Sequence, residues 1–234
     1  MVCISKGIEI IHLSLYLKDK KILIIGDLHL GLENSLIDQG ILIPKSQFNT
    51  IKDNIKKILK ESEVKKIIIN GDIKHEFSRI NKQEWNDVYS LIEFLKEYCD
   101  VEIVIGNHDY IMKQMLDSKG YKTSYFVIVN DIIILHGDFI PAEATTKKIV
   151  IIGHEHPSVL LREGSKNEKY KCFIKGKWKD KVLIVMPSFN PLSEGTDVLN
   201  EKFLSPFLQV SIENFEVFVV GDKIYNFGKI KNLV

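Results

Sequence analysis

Apolar residues along this chain gather into short runs, each closed by Gly, Asn or Asp, rather than into long continuous stripes. Runs at 8–17, 21–25, 66–70, 101–105, 124–129, 132–135 and 148–152 are rich in Ile and Val, and their length predicts sheet strands. Between them the spacing changes. Phe48, Ile51, Ile55, Ile58 and Leu59 share one helical stripe within 45–62, and Trp85, Val88, Leu91, Ile92 and Leu95 share another within 82–98. The first half therefore reads β-α-β-α-β. Lys18-Asp19-Lys20-Lys21 and Asn130-Asp131 interrupt neighbouring apolar runs as hairpin turns would, so antiparallel strands should join a parallel core. After Pro157 only strand-like runs remain, at 158–161, 170–174, 182–186, 206–212, 215–220 and 223–227, with a turn at Gly221-Asp222. No repeat, low-complexity tract or Pro/Gly/Ser-rich linker divides the sequence. The expectation is a single α/β domain over 1–234: a four-layer αββα sandwich of two mixed sheets flanked by helices, with a core at 22–157 and a β-rich part at 158–234 completing the second sheet.

Composition narrows the class. At 234 residues the chain can bury a full core, and a formal net charge of +1 argues neither for nor against a polyanionic partner. Cys3, Cys99 and Cys172 are odd in number and widely spaced, which fits reduced thiols and a cytoplasmic address. Residues 1–17 are too polar for a signal peptide and no apolar run reaches membrane-spanning length, so no membrane partner is expected. Charge is uneven, however. Arg162, Lys166, Lys169, Lys171, Lys175, Lys177, Lys179 and Lys181 crowd one segment against Glu163, Glu168 and Asp180, and within it Trp178 and Phe173 alternate with lysines. Such a segment either contacts phosphates and stacks a base or forms a solvated hairpin packed on the sandwich; Phe173 reads as structural, and Trp178 stays open. Its start near His156 tilts the reading toward a nucleic-acid substrate.

The chemistry sits at strand ends. Five of the seven histidines occur in Asp27-Leu28-His29, Gly106-Asn107-His108-Asp109, His136-Gly137-Asp138 and Gly153-His154-Glu155-His156, and Gly71-Asp72 completes the set. Each motif follows an apolar run, and loops at the carboxyl ends of neighbouring strands converge on one crevice. One Gly-Asp turn or Gly-His pair is ordinary loop chemistry. Five in this order are not. Carboxylates and an amide mixed with imidazole, without thiolate, suit Mn, Zn or Fe in a catalytic site rather than a Cys-rich structural zinc site.

The five motifs together resemble the signature of the calcineurin-like metallophosphoesterases, over Gly26 to Pro157. Asp27 to Glu33, Gly71 to His75, Leu135 to Asp138, Gly153 to Pro157 and Pro187-Ser188-Phe189-Asn190-Pro191-Leu192 are further similar to the small archaeal and bacterial branch related to SbcD nucleases, which includes a ligase- and helicase-associated DNA-repair endonuclease. The resemblance implies two divalent ions, Mn first and Zn, Fe or Ni as alternatives. Asp27, His29 and His156 would hold one ion, Asn107, His136 and His154 the other, and Asp72 would bridge them. It further implies a hydroxide between the ions as nucleophile, with His108 as general acid and Asp109 orienting its ring.

Around these positions the roles stay broader. Lys74 and His75 either contact a substrate phosphate or hold their loop. Glu33 is expected to accept from His29, Glu155 to face solvent, and Asp138 to fix the His136 tautomer or cap a turn; His12 reads as structural. The leading function is a Mn-dependent nuclease or phosphodiesterase on DNA, with a helicase or ligase as potential partner. Two alternatives accompany it: hydrolysis of a small nucleotide ester, and a catalytically inactive scaffold subunit of a DNA-repair complex.

Overall fold

The structure is a computed structural model that describes residues 1–77, 82–163, 166–200 and 202–233. Gly164 and Ser165 of the basic segment lie outside them. Two sheets stack face to face. The first has the order β1 (Val2–Ser5), β2 (Ile8–Ile11), β3 (Ser14–Leu17), β4 (Ile22–Ile25), β5 (Lys66–Asn70), β6 (Asp100–Val104), β7 (Lys122–Ser124). Strands β1 to β4 run antiparallel and β4 to β7 parallel, because only the latter are joined by helical crossovers. The second sheet runs β14 (Thr196–Asp197), β11 (Pro157–Glu163), β12 (Lys166–Trp178), β13 (Lys181–Val185), β10 (Ile149–Ile152), β9 (Ile132–Leu135), β8 (Phe126–Val129), with β15 (Glu216–Val220) and β16 (Ile224–Lys229) added beside β12. Both sheets are mixed, as the sequence pattern predicts.

Period-two patterning sorts the apolar residues into layers. Ile24, Ile68 and Val104 of the first sheet meet Ile134, Ile151, Ile184 and Phe218 of the second in the inner core. The alternate positions Leu23, Ile25, Ile67, Ile69 and Ile103 face α2 (Gln47–Glu61) and α3 (Lys82–Lys96), whose stripes of Ile51, Ile55, Ile58, Val88, Leu91 and Leu95 are wholly buried. Burying each such side chain contributes about 1.5–3 kcal/mol. On the outer face of the second sheet, short 3₁₀ helices at Ala142–Thr145, Pro206–Leu208 and Ile230–Asn232 supply Ala144, Phe207, Leu208 and Ile230.

Several local expectations change. The run at 8–17 is a hairpin: His12 sits at its turn with φ +51°, half-exposed, and pairs with Glu61 at 3.1 Å instead of lying in a strand. The run at 124–129 divides between the two sheets at Tyr125. Residues 206–212 form no strand, because Pro206 starts a 3₁₀ turn capped by the Ser205 side chain. Two further helices, α1 (Leu32–Asp38) and α4 (Tyr110–Ser118), were too short to show a clear stripe. None of the helices described is long and apolar enough to cross a membrane, and all three cysteines are free.

Candidate metal centre

Strands β4, β5, β6, β9 and β10 end at Ile25, Asn70, Val104, Leu135 and Ile152, and each is followed within three residues by a predicted ligand. Backbone hydrogen bonds sew these ends together. Asp27 N–H donates to Gly71 O at 3.0 Å, His29 N–H to Asp72 O at 2.9 Å, and Gly153 N–H to His136 O at 2.8 Å. Five of the predicted ligands, Asp27, His29, Asp72, His154 and His156, hold positive φ between +42° and +68°. Each such backbone costs about 1–2 kcal/mol for a residue with a Cβ, the strain expected where geometry is set by a site. Two glycines explain how the loops close so tightly. A Cβ on Gly106 would stand 2.2 Å from Asp72 Oδ1, and one on Gly153 would stand 2.4 Å from Asp27 Oδ2.

All seven predicted ligands come together. Asp27, His29 and His156 form one triplet and Asp72, His136 and His154 another, with donor atoms in each within 4.8 Å of one another. Asp72 lies between them: its Oδ2 is 3.7 Å from His29 Nε2 and 3.3 Å from His136 Nε2. Asn107 Oδ1 stands 2.9 Å from His136 Nε2, and His154 Nδ1 stands 3.0 Å from the same atom. One N–H cannot serve the carboxylate, amide and imidazole acceptors that converge there. His29 Nε2 and His156 Nε2 similarly face each other at 3.2 Å. Electron-rich atoms gathered around common points, on four buried and three half-buried residues, fit divalent cations.

Electrostatics agree. Burial raises the Asp27 carboxyl, but the His156 and His136 imidazoles outweigh it and hold the group below the usual carboxylate range. Asp72 is lowered in the same way, against burial, chiefly by His136. Burial pushes His136 down, yet Asp72 and Asp27 drive it up to about 10. His29, desolvated and beside His156, falls to about 3. The two buried carboxylates lean on the neighbouring His136 and His156 imidazoles for compensation, a charge that a metal would supply directly.

The surroundings depart from expectation in instructive ways. Asp109 does not orient His108. Its carboxylate accepts from Ile73 N at 3.0 Å, Lys74 N at 3.3 Å and Gly106 N at 3.1 Å, which locks the Gly71-Asp72 loop to the Gly106-Asn107 loop. Burial and the nearby Asp72 charge lift it to about 7. The His108 ring instead donates Nδ1–H to the His75 carbonyl, leaving Nε2 3.6 Å from Asp72 Oδ2. His75 therefore acts on its loop through its backbone, while its ring stacks 6.0 Å from His108. Lys74 is fully enclosed, its charge lowered by burial against the pull of Glu84 and Asp109, so a substrate phosphate does not reach its amine and loop support is the role that fits. Glu33 accepts from Gln47 N at 2.9 Å, and Gln47 reaches the His29 carbonyl rather than its ring. Glu155 is buried and accepts from Ser205 N, not solvent-facing. Asp138 accepts from Tyr110 O–H at 2.8 Å.

One supporting element carried no chemical signal in the sequence beyond its resemblance. The strap after β13 crosses back to the first ligand loop: Ser188 Oγ donates to Asp27 O at 2.7 Å, Phe189 N–H to Gly26 O at 3.0 Å, and Ser193 Oγ meets His156 Nδ1 at 3.3 Å. Lys171 clamps it from below by donating to the Ser188 and Asn190 carbonyls. This corrects the reading of the basic segment. Cys172 and Phe173 are core residues, and Trp178 packs on Phe207 at 4.8 Å. Trp178 pairs with Lys181, and Val182 is level with Ile149, so Lys177 to Lys181 lie at the end of the sheet opposite the crevice.

Comparison with known proteins places this geometry. A putative phosphoesterase, 244L, of Invertebrate iridescent virus 6 is 31% identical over 102 residues, which cover 43% of this chain and 32% of that protein, so the chain matches about a third of its relative's length. The crystal structure of Pseudomonas putida nuclease MPE superposes with a TM-score of 0.64 at 17% identity, covering 92% of this chain and 91% of that one, and so shares the fold. The calcineurin-like phosphoesterase family profile matches residues 20–222. With its Asp and His clusters able to hold metal at the strand ends of that fold, the chain belongs to the calcineurin-like phosphoesterase family.

Proposed function

We propose that the chain is a dinuclear metal-dependent phosphodiesterase acting on DNA, with Mn as the first candidate metal, and that residues 1–234 work as one unit within the SbcD-related branch. The observation that carries this reading is the position of Asp72, whose Oδ2 lies within 3.7 Å of imidazole nitrogens from both ligand triplets. That position suits a bridge. When bound, two divalent cations supply an activated water and neutralise charge on the phosphoryl oxygens. Asp27, His29 and His156 would hold one, and Asn107, His136 and His154 the other.

The chain's own residues do the rest. Fixed left-handed backbones at five ligands leave little to reorganise when substrate arrives. His108, held by the His75 carbonyl through Nδ1–H, presents Nε2 to the crevice and, in its imidazolium form, which burial opposes and Asp72 favours, delivers a proton to the departing alkoxide. Asp109 positions both loops without touching substrate. A nuclease among the proteins of like fold points in the same direction for substrate, and a repair helicase or ligase as partner in the cytoplasm belongs to the same proposal.

The test is Mn-dependent cleavage of supercoiled plasmid and single-stranded DNA, run beside Asp72→Ala and a bis-aryl phosphodiester. Cleavage of both substrate types by wild type and neither by the variant is the expected result. Turnover of the aryl ester alone moves the substrate to a small nucleotide, and no turnover of either, with no metal retained, removes the enzyme reading.

A further inference from the structure

Beside the metal centre lies a row of three rings, two exposed and one half-buried, that the chemistry so far does not use. Tyr110 is the residue after Asn107-His108-Asp109, Phe139 the residue after His136-Gly137-Asp138, and Tyr125 the single residue between β7 and β8. Register places them on one rim. Ser124 is level with Val104 of the parallel β6, and Ile105 N–H donates to Ser124 O at 2.8 Å, so Tyr125 follows at the height of Ile105, one residue before Gly106. On its other side Phe126 pairs with Leu135, directly before His136. Three loops, two of them ligand loops, thus bring three rings together.

The rings are held but not covered. Tyr110 and Tyr125 are separated by 6.3 Å at 59°, and Tyr125 and Phe139 by 6.3 Å at 82°, tilted and edge-to-face packings that fix each ring against its neighbour. Tyr110 O–H is anchored on Asp138 at 2.8 Å. Even so, Tyr110 is 49% and Tyr125 43% exposed. The Lys113 amine, ion-paired with Asp117 at 2.6 Å, stands 5.9 Å from the Tyr125 ring. An amphipathic aromatic surface with a cation at its edge, continuous with a phosphate-cleaving centre, matches a base attached to the phosphate being cut.

Resting on the phosphodiesterase reading above, we propose that Tyr110, Tyr125 and Phe139 form a stacking shelf for an unpaired nucleobase, and that the substrate is therefore single-stranded nucleic acid. Bases inside a duplex are already stacked on both faces and offer none to the shelf. A single strand laid through the crevice can place one phosphate at the metal centre and turn an adjacent base onto Tyr125. Stacking of this kind tolerates any base, so the shelf selects strandedness rather than sequence.

The test uses whole protein in chelator, so binding is read without turnover. A short oligothymidylate carrying one 2-aminopurine, moved stepwise along the strand, is titrated with protein. Quenching at one position is expected in wild type, with Tyr125→Ala weakening strand binding about 5- to 100-fold and Tyr125→Phe restoring it. A duplex of the same sequence should compete about tenfold more weakly or worse. Tyr110→Ala provides a second variant, and melting curves show which variants are folded. Absence of quenching in wild type, or unchanged binding in a folded shelf variant, overturns the proposal. The two readings separate cleanly: quenching by a wild type that cuts no phosphodiester keeps the shelf and removes the nuclease, whereas turnover of a bis-aryl ester without quenching keeps the chemistry and removes the shelf.

Discussion

Replacing Gly106 by alanine should damage the metal centre through a single methyl group. The added Cβ would meet Asp72 Oδ1 at 2.2 Å and Asp72 N at 2.5 Å, where ordinary contacts need about 3.5 Å. About 1 Å of movement is therefore required. The Asp72 carboxylate cannot yield it freely, because Oδ1 accepts from His108 N at 3.1 Å while Oδ2 stands 3.3 Å from His136 Nε2. Moving the Gly106 backbone instead pulls on its 3.1 Å hydrogen bond to Asp109. Misplacement of about 1 Å at a reacting centre costs about 10²-fold in rate, and overpacking costs about 1–3 kcal/mol. For a chain of this size each kcal/mol lowers the melting temperature by about 2–4 °C. The assay is Mn-dependent turnover of a bis-aryl phosphodiester, with bound metal and melting temperature measured on the same preparation. Gly221→Ala serves as control, since its Cβ would find its nearest neighbour at an ordinary 3.5 Å. A Gly106→Ala protein within about threefold of wild-type turnover, with full metal content, would refute the steric reasoning.

Three further outcomes follow from the same coordinates. His108→Ala should retain both metals yet lose about 10²–10⁴-fold on substrates with poor leaving groups, and far less on an activated aryl ester; equal losses on both would argue against proton delivery from Nε2. Phe189→Ala empties a buried position in the strap, 1% exposed, and should lower stability by about 3–5 kcal/mol in calorimetry while weakening Mn binding; an unchanged Mn affinity would detach the strap from the site. Glu102 is buried, which raises its carboxyl, but Lys122 at 2.8 Å and Lys66 at 3.0 Å prevail and hold it below the ordinary value. A carboxyl lowered in the folded state stabilises above its unfolded pKa and loses that contribution as pH falls through the folded one. Denaturant titrations should therefore show a shallower acid decline for Glu102→Gln than for wild type, and superimposable profiles would deny the pairing any role.

Local pattern made much of this molecule legible. Lys66–Asn70 reads directly as a strand because three consecutive isoleucines precede an Asn-Gly-Asp stop, and the stripes of α2 and α3 are long enough to set their faces. The ligands were legible because each follows a strand end within four residues. What lay beyond reading was long-range. Nothing near Ser188 reveals that its hydroxyl will find the Asp27 carbonyl, 161 positions earlier. The acceptor for His108 is a backbone carbonyl, which any residue at position 75 would carry. Lys171 looks like part of a basic surface segment in sequence and Lys74 reads equally as phosphate contact or loop support, and only packing shows that one clamps carbonyls and the other is enclosed.

The strap also bears on the order in which the site can come into being. Asp27 and Asp72 lie in the half of the chain made first, and nothing in their own strands prevents β4, β5 and β6 from pairing while synthesis continues. Asp27 nevertheless acquires its neighbours His154, His156 and Ser188 only after more than half of the chain has followed it from the ribosome. Closing such distant contacts is slow relative to local pairing. Until β9 and β10 dock, the nascent first sheet carries Asp27, Asp72, Asn107 and the imidazoles of His29, His75 and His108, but lacks His136, His154 and His156, which complete the triplets around Asp27 and Asp72. Completion of the seven-residue ligand set thus comes late in maturation, once both sheets have met in register.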